Sequence, residues 1–444
     1  MNLRSLKEIL QYPTALAGVL IILALIVVAI YTVITIPYSK AIDLWSGGDQ
    51  QWYKNPKNAA PIWFNWFRKD KLPETIDLTN TSPGVTTVKK AAGSSNTITF
   101  TFPINYDYDS YADDFAIYFT STFQSKAPFV GLVWVTPDGR KIRLGNFALK
   151  NQMAYRVSQD QKLTAKLAGA LPHVGLFAGP TYNSPTPEKG EYQLQIEGVT
   201  FEPDSQITAE VVLYGKLAGW AGTDNLRRDL GVALLWGTPV ALAFGLLAAV
   251  GTTFSQLVIA GVSTWFGGWV DQIIQRVTEI NLVLPFLPIL IMVGTFYSRS
   301  IFLILGVVIL LSIFGQSIKT FRAVFMQIKE SPYIEAARSY GANSSRIIFT
   351  YMIPRLIPLL IPQFITLIPS YVFLEASLAV LGLGDPKVPT WGKLIDDSYN
   401  AGALFQGWYY WVLEPSALLM ITGLAFSVVG YAMDRIFNPR LRGQ

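Results

Sequence analysis

Residues 333–354 read YIEAARSYGANSSRIIFTYMIP, a short polar stretch that turns apolar and lies between long hydrophobic runs. Good helix formers up to Tyr340 predict a helix, and Gly341 is a natural stop just past its end. Asn343 or Ser344 is placed to cap a second helix beginning near Arg346. From the residues alone this is an amphipathic loop built as helix, glycine, helix. Its meaning depends on what flanks it.

Outward from this loop the chain is dominated by apolar runs at 230–262, 277–294, 301–318, 357–383 and 411–436, and another at 14–36 ends at Pro37. Each is near or above the ~20 residues that a helix needs to cross a bilayer. Soluble core helices do not account for so many runs of that length. Pro239, Pro285, Pro288, Pro358, Pro362 and Pro369 fall within them and predict kinks that neighbouring helices must satisfy. The run at 14–36 exceeds the apolar core of a signal peptide, and no small-residue cleavage site follows, so it is expected to stay as a span.

Composition agrees. The chain of 444 residues is 51% hydrophobic and 15% charged, which suits a membrane protein with a water-facing part. A net charge of +5 is small for this length and demands no nucleic acid. The absence of cysteine excludes disulfides, thiol nucleophiles and Cys-ligated zinc. His173 is the only histidine, which excludes His-cluster metal sites and His-assisted nucleophiles within the chain. No Gly-rich loop ends in Gly-Lys-Ser/Thr, so ATP is not expected to bind here. Neither catalytic nor metal-binding residues are expected.

Between the first and second runs, from 41 to about 216, the pattern changes. Trp45, Trp52, Tyr53, Trp63, Phe64, Trp66 and Phe67 crowd one stretch. They suit a membrane-interface belt or packing onto the next domain, with stacking on sugar rings as the alternative. Alternating β-branched and aromatic segments follow at 97–102, 115–122, 129–136, 141–144, 192–197 and 207–214, with Pro137-Asp138-Gly139 as a turn. They predict an antiparallel sandwich large enough for its own core. Asp107, Asp109, Asp113 and Asp114 fit a solvated acidic turn, with a Ca²⁺ site as the alternative. Asn80-Thr81-Ser82 matches a glycosylation acceptor.

Loop charge sets an orientation. Arg4, Lys7, Arg276, Lys319, Arg322, Lys329, Arg338, Arg346, Arg355, Arg435, Arg440 and Arg442 fall on one side if six spans alternate. The loop at 385–410 opposes Asp385, Asp396 and Asp397 to Lys387 and Lys393. Both termini and the Glu335 loop are therefore expected in the cytoplasm, with residues 41–216 outside.

The loop of the opening stretch, Glu335-Ala336-Ala337, then Gly341 and Ile353-Pro354, resembles the EAA loop of ABC importer permeases. Tyr351 stands where that family usually has Ile, and Ile353 where it has Leu. Further motifs resemble the dipeptide/oligopeptide-type permeases, the C-type partner of the two permease subunits. GTDNLRRD at 222–229 resembles GTDxxGRD, with Arg227 replacing a glycine. Gly267-Gly268-Trp269-Val270-Asp271 resembles GGWVD. LEASLAVLGLG at 374–384 resembles LEASLSFLGLG, and Pro389, Trp391 and Gly392 follow as in P-x-WG. The tail keeps Gly430, Pro439 and Arg440. The likeness spans about 218–440, and residues 41–216 depart from it.

The resemblance implies a type I ABC importer-like permease; together with the six apolar runs, the strand pattern and the loop charge, the expected fold is an α-helical membrane protein with six transmembrane helices and an extracellular all-β sandwich-like insert. Residues 1–40 would be the N-terminus and first span, 41–216 the outer region, and 217–444 the permease core with its coupling loop at about 323–355. It implies a permease subunit in the cell membrane that forms half of a pathway for di- or oligopeptides. Partners would be a second homologous permease, two ATPase subunits that bind ATP and Mg, an extracellular substrate-binding protein and the lipid bilayer. Glu335, Ala336, Ala337, Gly341 and Pro354 would couple to the ATPase. The alanines would keep one flank slim for a groove, Glu335 would meet an Arg or a backbone donor, and Gly341 would let the chain reverse closely behind the rod. Glu375 and Asn281 are candidates for the pathway or for helix packing. Asp224 and Arg228 read as helix-end or inter-subunit contacts. Other outcomes are import of oligosaccharides by the same machinery, a membrane-anchored receptor with a ligand-binding sandwich, and a secondary transporter, for which no internal repeat is visible.

Overall fold

The structure is a computed structural model that describes residues 13–437 apart from 93, 94 and 183. Arg4, Lys7, Pro439, Arg440 and Arg442 lie outside the described residues. The chain divides into two compact units, Gly47–Gly231 and the remainder, Met1–Ser46 with Val232–Gln444.

The first of these is a β-sandwich. Its strands are β1 Ile76–Thr79, β2 Thr86–Ala92, β3 Ser95–Tyr106, β4 Asp114–Thr122, β5 Phe129–Val135, β6 Lys141–Ala148, β7 Gln152–Arg156, β8 Gly190–Thr200 and β9 Gln206–Tyr214. They form two antiparallel sheets, ordered β1-β9-β4-β7 and β2-β3-β8-β5-β6. Alternation explains the faces. In β3, Ile98, Phe100, Phe102, Ile104 and Tyr106 all point to the core, while the threonines between them are only partly covered. Trp134 is fully buried at the centre, 5.5 Å from both Phe115 and Tyr192 and 5.2 Å from Phe177 between ring centroids. Its Nε1 donates to the Leu176 carbonyl at 3.0 Å, so burial leaves no polar atom unmet. The Pro137-Asp138-Gly139 turn joins β5 to β6, with Gly139 at φ 86°. Asn80-Thr81-Ser82 lies in the turn between β1 and β2, where the Ser82 hydroxyl accepts the Thr79 N–H.

The four aspartates considered for Ca²⁺ do not converge. Lys189 takes Asp107 and Asp109 at 3.2 and 2.8 Å. Among the described residues no group of three or more acidic or histidine side chains could hold a metal ion.

The other unit is helical: α1 Pro13–Thr35, α2 Leu230–Phe266, α3 Gly268–Val283, α4 Phe286–Phe296, α5 Ile301–Ser312, α6 Ser317–Lys329, α7 Pro332–Ser339, α8 Ile353–Leu378, α9 Trp391–Asn400 and α10 Tyr409–Phe437. α1, α2, the stretch Ser344–Leu383 that contains α8, and α10 are each long and apolar enough to cross a membrane. The runs at 277–294 and 301–318, each expected as one span and the first as kinked at its prolines, lie in bent helix pairs. α3 and α4 meet at 76°, and α5 and α6 at 48°. At the first break Leu284 is extended (φ −64°, ψ 133°), the conformation forced on a residue before proline, here Pro285. Among the described residues, the helices long and apolar enough to cross a membrane therefore number four, or up to six if each bent pair is one span.

Small residues allow the helices to touch. A Cβ on Gly18 of α1 would meet the Ala425 carbonyl oxygen of α10 at 2.9 Å, and one on Gly245 of α2 would meet the Ile368 carbonyl oxygen of α8 at 2.8 Å. Between helices that share an apolar surround, such close approach supplies the packing energy.

Candidate functional site

α7 begins at Pro332, where the missing N–H costs nothing because it would have no partner, and the fixed φ suits a first helical turn. Its two faces differ sharply. Ile334 is buried in an apolar cluster with Phe321, Phe325, Ile347, Ile348, Met352 and Ile353, and Ala337, three residues on and on the same face, is buried as well. Glu335, Ala336, Arg338, Ser339 and Tyr340 are exposed. The two alanines therefore do not share one slim flank. Ala337 closes against the protein's own core, and Ala336 is the one left on the open face beside Glu335.

The end of α7 is closed by glycine. Gly341 has φ 77°, its N–H donates to the Arg338 carbonyl at 2.9 Å, and the Ala342 N–H donates to the Ala337 carbonyl at 3.0 Å. Those two bonds satisfy carbonyls that a helix end leaves open. A Cβ on Gly341 would meet nothing within 4 Å. Its glycine is required by the left-handed backbone rather than by the close approach expected from sequence. Asn343 then caps the next turn, its Oδ1 accepting the Arg346 N–H at 2.8 Å. A π-helical turn at Ile347–Met352 leads into α8, and Pro354 occupies its first turn.

Three contacts brace the rod. The Arg338 guanidinium lies 4.4 Å from the Trp265 ring centroid, and Arg355 lies 5.1 Å from that of Tyr333. Lys329 Nζ donates to the Thr264 and Trp265 carbonyls at 2.8 and 3.0 Å, capping the C-terminal end of α2 with a cation. Nearby, Arg322 donates to both carboxylate oxygens of Asp271, at 2.7 and 2.5 Å, and Ser263 also donates to Asp271. Sequence reasoning counted Arg322 only as a loop charge. The GGWVD likeness had flagged Asp271, but nothing in the chain order pairs it with a residue 51 positions on.

Asn281 and Glu375 lie elsewhere. Asn281 Nδ2 donates to the Leu311 and Phe314 carbonyls at 3.0 and 3.2 Å, tying the end of α3 to the end of α5. Glu375 is buried in α8, about 30 Å along the helix from Pro354 at ~1.5 Å per residue. The Thr390 hydroxyl hydrogen-bonds it and also caps α9 by accepting the Lys393 N–H. Trp391 donates to the Leu234 carbonyl at 2.9 Å and presses on Gly237, where a Cβ would fall 2.2 Å from the indole. Gly392 admits the Ala376 Cα in the same way, at 2.6 Å.

Residues 232–443 match the family described as the binding-protein-dependent transport system inner membrane component. The chain belongs to that family. It is 30% identical over 235 residues to the glutathione transport system permease protein GsiD of Pectobacterium atrosepticum, covering 51% of this chain and 74% of that one. It is 29% identical over 227 residues to the oligopeptide transport system permease protein OppC of Bacillus subtilis, covering 50% and 72%. It is 28% identical over 222 residues to the peptidoglycan transport system permease protein YejE of Agrobacterium fabrum, covering 50% and 57%. Inner membrane components of this kind are permease subunits and not themselves enzymes.

In this inner membrane component the sandwich lies wholly before the family match. The one clear departure from the GTDxxGRD pattern sits at the end of that unit. Arg227, in the place of the pattern's glycine, has φ 66°. Its guanidinium donates to the Asn55 carbonyl at 2.5 Å and lies 4.6 Å from the Tyr214 ring centroid, so contacts within the added unit offset the backbone strain. Beside it Asp224 is fully buried and bonded to Arg228 Nε at 2.5 Å, with the Leu226 and Arg228 N–H groups on its other oxygen. Burial pushes the Asp224 carboxyl above its usual range, against the pull of Arg228. The Asp224 carboxylate thus gathers donors from within one turn of chain, just ahead of α2.

Proposed function

We propose that this chain is a permease subunit of an ABC importer, forms half of a pathway for di- or oligopeptides, and is driven through α7. The observation that carries the reading is the division of α7: Ile334 and Ala337 fix one face in the core, while Glu335 and Ala336 remain open on the other. A short helix held in this way moves as a unit when pushed and passes displacement to α6 and α8 through the shared apolar cluster. Pro354 and the three prolines inside α8 give that helix places to bend.

The assembly would contain a second homologous permease, two ATPase subunits that hold ATP and Mg, and an external substrate-binding protein. Six spans would place both termini and α7 in the cytoplasm and residues 41–216 outside, with the sandwich as a platform for the binding protein. The peptide assignment is supported by the relatives named for oligopeptide and glutathione transport.

The test is co-expression with neighbouring permease and P-loop ATPase genes, purification by a tag on this chain, and uptake into proteoliposomes. The expected result is co-purification and ATP-dependent accumulation of labelled peptide. Accumulation of labelled oligosaccharide instead would overturn the substrate, and purification without any ATPase would overturn the importer reading in favour of an anchored receptor.

A further inference from the structure

The sandwich unit carries an exposed aromatic ledge. Ile62–Trp66 is a tight 3-10 turn entered through Pro61. Buried Asn65 clamps the chain beyond it: Nδ2 donates to the Leu72 carbonyl and Oδ1 accepts the Leu72 N–H, both at 3.0 Å, while Lys71 Nζ donates to the Asn65 carbonyl at 2.7 Å. Held in this way, Trp66 and Phe67 stand 79% and 82% exposed. Trp63 packs edge-on against Phe64 and Phe67, so the rings form one surface. Arg68 and Lys69 follow directly and are exposed.

The ledge is fastened to the segment that enters α2. The Ile62 N–H donates to the Gly219 carbonyl at 3.0 Å, and Trp63 Nε1 donates to the Trp220 carbonyl at 2.9 Å. Trp220, 54% exposed, lies over Gly231 in the first turn of α2, where a Cβ would fall 2.5 Å from its Nε1. α2 is long and apolar enough to cross a membrane. A rigid cluster of large exposed rings marks an interaction surface. Trp and Phe with Arg and Lys beside them is the composition that the lipid–water boundary takes up, rings at headgroup level and cations on phosphate. The ledge is thereby tied to the chain that leads into α2.

We propose that Ile62, Trp66, Phe67 and Trp220 form an interfacial anchor that dips into the headgroup region of the bilayer, with Arg68 and Lys69 on lipid phosphates. The anchor requires only that α2 enters a bilayer, whatever is transported.

The chain has no cysteine, so one introduced thiol is unique. The full chain is prepared as Trp66→Cys, as Phe67→Cys and as an aqueous control, Lys89→Cys on β2. Each is spin-labelled and placed in nanodiscs of phosphatidylcholine with phosphatidylglycerol. At both ledge positions, collision with oxygen relative to a water-soluble nickel chelate should be several-fold higher than at the control. Adding Arg68→Glu and Lys69→Glu should lower that ratio, more so as phosphatidylglycerol is increased. A ratio equal to the control, or protection from both reagents as in a protein contact, would overturn the anchor. Both side chains are mostly exposed, so folding should survive either change.

Discussion

The guanidinium of Arg338 lies 4.4 Å from the centroid of the Trp265 ring, pinning the last turn of α7 to the end of α2. A cation–π contact at a surface contributes about 0.5–1 kcal/mol, enough to stiffen the rod without holding up the fold. Trp265→Leu should leave the complex assembled and ATP hydrolysis near normal, and should lower peptide imported per ATP hydrolysed. Parallel measurement of uptake and phosphate release in proteoliposomes checks this.

Gly341 tests the end of the same rod. With φ at 77° and open space around a Cβ, the penalty for a side chain is backbone strain alone, roughly 1 kcal/mol for alanine. Gly341→Asn should be the mildest change and Gly341→Val the most severe, because asparagine tolerates the left-handed region and β-branched residues do not. Transport per ATP should fall in that order. Equal coupling in all variants would mean that the turn is not part of the drive.

Arg227 stands at φ 66° and is held by Asn55 and Tyr214. Arg227→Gly removes the strain and the contacts together, a net loss on the order of 1 kcal/mol. Arg227→Ala keeps the strain and loses the contacts, about 1 kcal/mol worse again. Thermal unfolding of the purified chain should rank the original sequence first, glycine second and alanine last.

Acid sensitivity is expected at Glu202. Its carboxylate accepts the N–H groups of Gln124, Ser125 and Lys126 at 2.6–2.7 Å, and the first and third of these lead in pulling it down to about 2. A group held below its unfolded value of 4.5 contributes stability that is complete above that pH and is lost as pH falls through about 2. The Tm advantage over Glu202→Gln should therefore be constant from neutral pH to about 5 and shrink on further acidification.

Much of the sandwich was legible because half-buried strands alternate. The segments expected at 97–102, 115–122, 129–136, 141–144, 192–197 and 207–214 lie on β3, β4, β5, β6, β8 and β9. β1 and β7 are too short to show a period, and β2 carries Lys89 and Lys90 with little apolar signal. Apolar runs were legible as helices and their prolines as kinks, but neither the bend angles nor the break at 313–316, which holds no proline, could be read from the chain. The sign at Leu284-Pro285 was nonetheless present, because a residue before proline is driven out of the helical region. In the site, the glycine stop and the Asn343 cap are local and could be read. The pairing of Arg338 with Trp265 or of Asp271 with Arg322 is tertiary and could not.

The account depends on α7 facing an ATPase in the cytoplasm. Ala336→Cys, in a chain with no other cysteine, can be probed directly with a membrane-impermeant maleimide and a thiol-to-amine cross-linker. Labelling only after the membrane is opened on its cytoplasmic side, together with a cross-link to the P-loop ATPase that ATP modulates, is the predicted result. Labelling from the outer medium, or no adduct with an ATPase that co-purifies, would contradict it.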